Sequence, residues 1–412
     1  MVSTLLSYAA QSAESAEQYL SLQAAASILP THIASAGPEL AEITAEGYPG
    51  NRYHSCTPEI DQIELLTIDY AKNLFGADHA NVQPLSCSAA NIASMSAMVP
   101  RGGKILSMDL HHGGHISHGS KTHISSALYE FEYYGSSNGL IDYDQVRDLT
   151  KKYQPHLIIC GASSYPREIS YKIFREVADE FGALLLADIS HIAGLVASGF
   201  VESPIKYAHV TTTSTYKQLY GPRGGLILLG PNSDAFHETG IDRCRAIDRA
   251  LFPGLQGTPD YRQILQKGLA LEAALSLDFR NLMQSVVELA KVLSSVFMAK
   301  GLKLIGDGTD THMVLVDLCD QHKTGKQIEE ALSKIGILAN RNLIPNDSQP
   351  PSKTSGIRFG TNTAAYRRIS AETMQGIANT ICDVIARPNH NTREKAAYIK
   401  DICERFPILR CA

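Results

Sequence analysis

The stretch that decides the fold is LLLADIS at residues 184–190, followed by HVTTTSTYK at residues 209–217. The first run is apolar without alternation until Asp188, as expected for a strand that is buried on both faces of a sheet. The second is a β-rich run that ends beside Lys217. Because residues just past the carboxyl ends of parallel strands converge on one crevice, the sequence predicts that Asp188 and Lys217 lie close together.

Similar β-rich runs recur on both sides of this stretch. Between them lie helical patterns at residues 89–98 and 167–181. This alternation predicts an α/β fold in which a mostly parallel, seven-stranded sheet forms a large domain. The predicted strands are Asn81–Leu85, Lys104–Met108, Leu128–Tyr134, His156–Gly161, Leu184–Ser190, His209–Thr215 and Gly224–Gly230.

The pattern changes after about residue 275, which indicates a second, smaller α+β domain. Residues 281–300 carry apolar side chains at the spacing of a long amphipathic helix. A Pro-rich polar stretch at residues 340–355 is expected to be an ordered loop. Further helices are predicted at residues 326–335, 371–386 and 393–406. The predicted organisation is an N-terminal arm (1–30), a large domain (31–275) and a small C-terminal domain (276–412).

The composition excludes several classes of protein. The 412 residues carry a formal charge of −5 and a pI near 6.3, which argues against a nucleic-acid partner. No uninterrupted apolar run approaches the roughly 20 residues of a membrane span, and the N-terminus lacks the basic flank of a secretory signal. The eight cysteines are scattered without paired spacing, which suits a reducing cytosol. A soluble, cytoplasmic enzyme is expected.

Asp188 and Lys217 together could bind pyridoxal phosphate, the amine covalently and the carboxylate through the ring nitrogen. Taken alone, such a pair is more often a surface lysine and aspartate at strand ends. The segment Ser86-Cys87-Ser88 favours the cofactor, because it follows a predicted strand and opens a helix whose free N–H groups can bind phosphate. Serine is also a common helix N-cap, so this motif does not decide the matter by itself.

Four histidines lie within HHGGHISH at residues 111–118. They could ligate zinc, but Gly113-Gly114 interrupts any helical face and no second cluster in the sequence completes a site. The favoured interpretation is one histidine stacked on a cofactor ring with its neighbours in supporting positions, and no metal is expected.

A series of motifs follows in order along the chain. They are AEGYPGNRY (45–53), LFGADHANVQP (74–84), MDLHHGGHISHG (108–119), LADISHIAGLVASG (186–199), TTTSTYKQLYGPRGG (211–225), FPGLQG (252–257), IPND (344–347) and TSGIRFGT (354–361). Through them the chain resembles the serine hydroxymethyltransferase family, which has the aspartate-aminotransferase-like fold type I of pyridoxal-phosphate enzymes. The resemblance implies covalent pyridoxal 5′-phosphate, tetrahydrofolate as cosubstrate, and a homodimer with shared active sites, with a tetramer as a further option.

The resemblance also implies a cofactor site. Lys217 would hold the cofactor covalently, and Asp188 would pair with its ring nitrogen. The other implied contacts are His115 stacked on the ring, Ser163 and His191 beside its phenolic oxygen, Ser86, Cys87 and Ser88 at the phosphate, and Gly257 from the partner subunit.

The implied substrate site includes Arg358, whose planar guanidinium suits a carboxylate clamp. Glu46 would be the acid/base carboxylate, although a surface carboxylate before a tight turn is the plainer interpretation. Tyr53 and His54 would lie near the amino acid. The implied folate contacts are Glu46, Tyr53, Leu110, Gly114 and Asn346.

Several positions depart from the family pattern close to the cofactor and the amino acid. Ala24-Ala25-Ala26 stand in place of Ser-Glu-Asn, Thr44 and His54 in place of tyrosines, Tyr216 in place of histidine, and Cys87 in place of glycine. Neutral drift in a housekeeping enzyme would explain them. Their concentration around one pocket favours a specialised paralogue with altered amino-acid or aldehyde specificity, such as for an α-substituted serine.

The expected reaction makes or breaks the Cα–Cβ bond of a β-hydroxy amino acid, with one-carbon transfer to or from tetrahydrofolate. A base near Glu46, or a water that it positions, would remove the β-hydroxyl proton. The alternative is a folate-independent threonine-type aldolase or transaldolase. A non-catalytic pseudoenzyme is disfavoured because Lys217, Asp188 and Arg358 are intact.

Overall fold

A computed structural model describes residues 3–55, 57–231 and 242–409. Its helices are α1 (Thr4–Gln18), α2 (Thr31–Ala34), α3 (Pro58–Phe75), α4 (Cys87–Met98), α5 (Ser125–Leu128), α6 (Tyr143–Tyr153), α7 (Tyr171–Phe181), α8 (Ala193–Ala197), α9 (Arg243–Leu251), α10 (Tyr261–Ala274), α11 (Leu277–Ala299), α12 (Gly325–Lys334), α13 (Asn362–Tyr366), α14 (Ala371–Ala386) and α15 (Thr392–Arg405). Its strands are β1 (Leu20–Ser21), β2 (Gly47–Tyr48), β3 (Asn51–Arg52), β4 (His79–Asn81), β5 (Lys104–Met108), β6 (Glu130–Tyr134), β7 (Ser136–Ser137), β8 (Leu140–Ile141), β9 (Leu157–Cys160), β10 (Leu184–Asp188), β11 (Val210–Ser214), β12 (Gly225–Leu229), β13 (Lys303–Leu304), β14 (Met313–Asp317), β15 (Ile337–Leu338), β16 (Asn340–Asn342) and β17 (Gly356–Gly360).

A seven-stranded sheet with the order β4-β12-β11-β10-β9-β5-β6 forms the centre of the fold. Only β12 runs against the others, and it pairs antiparallel with both β11 and β4. Strand β10 is covered on both faces, because Leu186 belongs to one hydrophobic cluster while Leu185 and Ala187 belong to the other. The predicted mostly parallel α/β sheet is therefore confirmed.

Several predicted element boundaries are wrong. The helix predicted at residues 281–300 begins at Leu277, and the strand predicted from Leu128 begins at Glu130. Two further cases have a clear physical reason. The strand predicted at residues 81–85 lies at His79–Asn81, because Pro84 has no N–H group for the ladder and its carbonyl oxygen accepts instead from Gly225. The helix predicted from residue 167 begins at Tyr171, where the hydroxyl of Ser170 caps it. Arg167 instead pairs with Asp310.

A four-stranded antiparallel sheet with the order β13-β14-β17-β16 lies in the C-terminal part. The stretch predicted as a loop at residues 340–355 begins with strand β16, which pairs with β17. In the N-terminal segment, β1 pairs in parallel with β15. The division into segments 1–30, 31–275 and 276–412 stays a prediction.

Helix α11 is long and apolar enough to cross a membrane by length and composition. It is instead the core helix of the C-terminal part, since Met283, Val286 and Leu293 are buried in the larger hydrophobic cluster. Val286 and Leu293 belong to the amphipathic pattern predicted at residues 281–300, so the apolar face of α11 is covered by protein.

Candidate active site

Strands β10 and β11 are parallel neighbours, and their carboxyl ends carry Asp188 and Lys217. Asp188 is the last residue of β10 and lies opposite Thr212 of β11. Lys217 follows β11 in a turn that is closed by a hydrogen bond from Thr215 Oγ1 to the carbonyl oxygen of Pro222 (2.7 Å). Both side chains are buried, and the charge of Asp188 acts on the amine of Lys217.

The carboxylate of Asp188 is surrounded by hydrogen-bond donors. Asn91 Nδ2 donates to Oδ2 (2.9 Å), His118 Nε2 lies 3.1 Å from the same oxygen, and the Ser190 amide donates to Oδ1 (2.9 Å). Burial on its own would raise the pKa of Asp188, but the hydrogen bonds and the charge of His118 outweigh it and hold that pKa well below its usual range. The site therefore contains a buried, ionised carboxylate.

The segment 86–88 forms the start of helix α4. The hydroxyl of Ser86 accepts from the amide of Ala89 (3.1 Å), so Ser86 acts as the N-cap. Ser86 is exposed and Ser88 half-buried, and Cys87 points inward, with its Sγ 3.6 Å from Asp188 Oδ2. Cys87 is the first residue of α4, so its contact brings the positive end of this helix close to the Asp188 carboxylate.

His115 and His118 both come from the histidine-rich segment. The Gly113-Gly114 pair is required there by close backbone approach: a Cβ on Gly114 would lie 2.1 Å from the carbonyl oxygen of Met108. Burial lowers the pKa of His115 to about 4, so its ring is neutral at pH 7 and suited to stacking. One potential metal-ligand atom from each of His115, His118 and Asp188 lies within 4.8 Å of the other two. The hydrogen bond between His118 and Asp188 accounts for part of this closeness.

Lys217 is held as an uncharged amine more readily than a surface lysine would be. Burial lowers its pKa, and the positive charges of Arg358 and Arg223 lower it further, although Asp188 opposes them. Its Nζ lies 5.6 Å from the centroid of the Tyr216 ring, on which the guanidinium of Arg223 also stacks at 4.4 Å. A neutral lysine amine is the form that attacks a carbonyl carbon.

Arg358 projects from β17 towards residues that follow β9 and β10. Its Nη1 donates to the carbonyl oxygen of Ser163 (2.6 Å), while its Nε has no hydrogen-bond partner among the described residues. Ser163 Oγ lies 3.4 Å from His191 Nε2. Burial lowers the pKa of Arg358 to about 10, which still leaves the guanidinium charged at pH 7. No described carboxylate forms an ion pair with this charge, so it can receive an anionic substrate group.

The Ala24-Ala25-Ala26 segment reaches the same pocket. The carbonyl oxygen of Ala24 accepts hydrogen bonds from His312 Nε2 (3.1 Å) and Asn362 Nδ2 (3.2 Å). Ala25 and Ala26 line a cavity of about 540 Å³ together with Tyr216 and Arg358. The structure therefore places these alanines in the same cavity as Arg358, and their position beside the amino-acid carboxylate stays a prediction.

Glu46, Tyr53, His54 and Gly257 form a separate surface cluster. Glu46 Oε1 accepts from the hydroxyl of Thr258, the neighbour of Gly257 (2.8 Å), and Tyr53 is 71% exposed. The β2–β3 hairpin, which Glu46 precedes and Tyr53 and His54 follow, is held by Arg52, which pairs with two carboxylates. Within the described parts of the chain, no hydrogen bond joins this cluster to Lys217 or Asp188 of the same subunit.

The remaining predicted folate contacts are dispersed. Leu110 is 37% exposed beside the histidine-rich segment, and Gly114 is buried behind it. Asn346 lies in an exposed turn with φ of 58°. No hydrogen bond between described residues joins Asn346 to Glu46 or Tyr53.

Sequence reasoning missed Asn91 and His118 as partners of Asp188. His118 had a signal, because it belongs to the histidine-rich segment in which only His115 received a role. Asn91 had a weaker one: it lies one helical turn beyond Cys87 on the helix that was expected to bind phosphate. Both side chains are buried and polar, which the sequence alone does not show.

The pocket fits pyridoxal phosphate. It combines a buried lysine, an ionised carboxylate for the ring nitrogen, a neutral histidine and the start of a long helix for the phosphate. His191 Nδ1 and Arg358 Nε are buried without partners among the described residues, as expected of atoms that await a ligand. On this fold, these features define a pyridoxal-phosphate-dependent enzyme of fold type I.

Comparisons with known proteins identify the family. The family model described as serine hydroxymethyltransferase matches residues 8–381. A serine hydroxymethyltransferase of Nostoc punctiforme is 44% identical over 380 residues, which cover 91% of this chain and 87% of that protein. One from another Nostoc species is 43% identical over the same shares. The chain belongs to the serine hydroxymethyltransferase family, whose members are pyridoxal-phosphate-dependent hydroxymethyltransferases with tetrahydrofolate as cosubstrate.

Proposed function

We propose that the pocket around Lys217 and Asp188 is where this hydroxymethyltransferase acts on a β-hydroxy amino acid. The observation that carries the proposal is the ionised, fully hydrogen-bonded carboxylate of Asp188 beside a buried lysine of lowered pKa. An unpaired buried arginine next to them supplies the anion site for the substrate. We expect the enzyme to work in the cytoplasm, as the scattered cysteines indicate.

Each residue has a defined task in this proposal. Pyridoxal phosphate, when bound, supplies an electron sink adjacent to the substrate Cα. Asp188 holds a proton on the ring nitrogen, and His115 covers the ring face. Arg358 would bind the α-carboxylate, and Glu46 would remove or return the proton on the β-hydroxyl oxygen while the Cα–Cβ bond breaks or forms. Tetrahydrofolate would take up or supply the one-carbon unit.

We infer that Glu46 does this from a second subunit, since no hydrogen bond between described residues joins the surface cluster to Lys217 of its own chain. We therefore propose a homodimer in which Glu46, Tyr53, His54 and Gly257 complete the partner's site. The cluster's exposed tyrosine and its two glycine-containing turns suit an interface of this kind.

Mixing two inactive variants tests the shared site. Lys217→Ala and Glu46→Gln are each expected to lose activity as pure dimers. After unfolding and refolding an equal mixture, half of the dimers contain one of each chain, and in those one site has both Lys217 and Glu46. Recovery of about one quarter of the wild-type rate is expected.

The control is a mixture of Lys217→Ala with Asp188→Ala, two changes in the same pocket, which should recover nothing. If the Lys217→Ala and Glu46→Gln mixture also stayed inactive while size-exclusion chromatography showed hybrid dimers, the shared-site proposal would be wrong. The assignment of Lys217 would survive that result.

We further propose that the amino-acid pocket accepts a substituent on Cα. Ala25 and Ala26 expose no polar side-chain group to the cavity beside Arg358, and the cavity of about 540 Å³ leaves room beyond a serine. Gln23, Ser27 and Asn340 also line the cavity, but Ala25 and Ala26 place no polar side chain there that a substituted substrate would leave unpaired. Their side of the cavity can therefore admit a methyl group or larger.

The test compares α-methyl-L-serine with L-serine, each with and without tetrahydrofolate. We expect kcat/KM for α-methyl-L-serine to equal or exceed that for L-serine, and Ala25→Leu to lower it about 10- to 100-fold more for the α-substituted substrate by filling the cavity. Ala386→Leu, on the exposed end of α14, is the matched control. Turnover of L-serine alone would show that the alanine substitutions are neutral drift. Rates that do not change when tetrahydrofolate is added would indicate aldolase chemistry instead.

A further inference from the structure

Lys267 is a buried cation that the reaction as described does not use. It lies on helix α10 and is fully buried. Its Nζ donates three hydrogen bonds to backbone carbonyl oxygens: to Val82 (2.7 Å), to Pro84 (2.9 Å) and to Gly225 (3.2 Å). Among the described residues no carboxylate forms a salt bridge with it.

A lysine in this position is energetically unfavourable unless something offsets its charge. Burial lowers the pKa of Lys267 to about 7 and outweighs the negative charges of Asp260 and Glu64, which raise it. Three carbonyl dipoles satisfy the ammonium hydrogens, but they carry no net negative charge. A methionine of similar length would fill the same space without a buried charge, at the cost of leaving three carbonyl oxygens without this donor. Hydrogen bonding accounts for a donor here, and the net charge requires a further explanation.

The three carbonyl groups belong to the two chain segments that hold the start of helix α4. Pro84 precedes Ser86, the N-cap of that helix, by two residues. Gly225 begins β12 and lies directly against the cap: a Cβ placed on it would be 2.6 Å from the carbonyl oxygen of Ser86 and 3.0 Å from the amide nitrogen of Cys87. The ammonium group therefore lies behind the backbone of the segment 86–88.

Gly224 supports the same interpretation. A Cβ on Gly224 would lie 2.3 Å from Lys267 Cε and 2.9 Å from its Nζ. A side chain at this position would therefore displace the lysine from its three acceptors. The absence of a side chain at Gly224, in the turn after Lys217, therefore leaves space for the Lys267 side chain.

We propose that Lys267 is a positioning residue for the phosphate group of the cofactor. Its three hydrogen bonds fix the backbone that presents the N–H groups of segment 86–88, and its positive charge offsets the phosphate dianion from behind that backbone. The inference rests on the proposed function, in which Ser86, Cys87 and Ser88 meet the phosphate. The dianion in turn supplies the countercharge that the described protein residues do not.

The experiment compares pyridoxal 5′-phosphate with pyridoxal, which lacks the phosphate. Binding to apoenzyme is followed by the visible absorption of the bound ligand, for wild type, Lys267→Met and the exposed-lysine control Lys291→Met on α11. Lys267→Met is expected to weaken pyridoxal 5′-phosphate binding by about 10- to 100-fold and to leave pyridoxal binding nearly unchanged. The ratio of the two affinities is the quantity that a purely structural role would not change.

Lys267→Gln guards against simple unfolding, because its amide can still donate to two of the carbonyl oxygens without the charge. Circular dichroism and thermal unfolding of the apoenzyme check both variants. An unchanged affinity ratio in either folded variant, or failure of both variants to fold, would assign Lys267 to the fold alone and overturn the inference. If wild type itself binds the two ligands equally, the proposed cofactor site is wrong, which is a separate outcome.

Discussion

Replacing Asp188 with asparagine is expected to lower kcat/KM by at least about 10³-fold, because a neutral amide cannot hold a proton on the cofactor ring nitrogen. The change keeps the shape of the side chain. It also places an amide donor where Asn91 and His118 now donate to a carboxylate oxygen. We expect the clash of donors to lower the free energy of unfolding by about 1–3 kcal/mol.

Steady-state kinetics and thermal unfolding of the holoenzyme measure the two effects separately. Asp144→Asn makes the same substitution at an exposed position on helix α6 and should alter neither. Asp188→Glu keeps the charge but moves it, so it should retain more activity than Asp188→Asn. An Asp188→Asn enzyme within tenfold of wild type would show that the ring nitrogen needs no carboxylate here.

The strands could be predicted from the sequence because a buried strand has a recognisable run of apolar residues. Runs such as LIIC at Leu157–Cys160 are buried at every residue, and a strand covered on both faces needs apolar side chains at each position. The order of the strands is a different matter. β12 inserts antiparallel between β11 and β4 through pairings of residues far apart in the chain, such as Leu228 with Ala80, and no local pattern specifies them.

The active site likewise contains residues that local sequence predicts and residues that it does not. Asp188 and Lys217 are predictable because Asp188 ends β10 and Lys217 follows β11, and neighbouring parallel strands end at one edge of the sheet. The partners of Asp188 are not, since Asn91 and His118 are 97 and 70 residues away along the chain. Lys267 lies 185 residues from Val82, its first acceptor. Its role therefore emerges only from the folded structure.

Glu46 shows a further limit of reasoning from one chain. The family resemblance implied a catalytic carboxylate at this position, yet in the described structure Glu46 accepts a hydrogen bond from Thr258 on the surface. A catalytic role and a surface position of Glu46 are compatible if a second subunit completes the active site. The plainer interpretation, a surface carboxylate before a turn, describes the isolated chain, which is why the mixing experiment is the decisive one.

Replacing Lys217 with alanine is expected to abolish covalent attachment of pyridoxal phosphate and to lower kcat by at least about 10³-fold. Lys217 is the buried lysine that follows β11, and burial lowers its pKa, which favours the neutral amine that attachment requires. Reduction of wild-type holoenzyme with borohydride, followed by peptide mass spectrometry, should find the cofactor on the peptide that contains Lys217 and on no other.

The alanine variant also leaves a space the size of the lost side chain, so a small amine in the buffer can take over part of its role. We expect ethylamine to restore about 10- to 100-fold of the lost rate, with a pH profile that follows the added amine in its neutral form. Lys291→Ala, on the exposed face of α11, should behave as wild type and show no response to ethylamine. A Lys217→Ala enzyme that turned over normally without added amine, or cofactor found on Lys267 after reduction, would contradict the assignment of Lys217. The second result would show instead that the buried ammonium behind the phosphate segment is the reactive lysine, against the three carbonyl acceptors that occupy it in this structure.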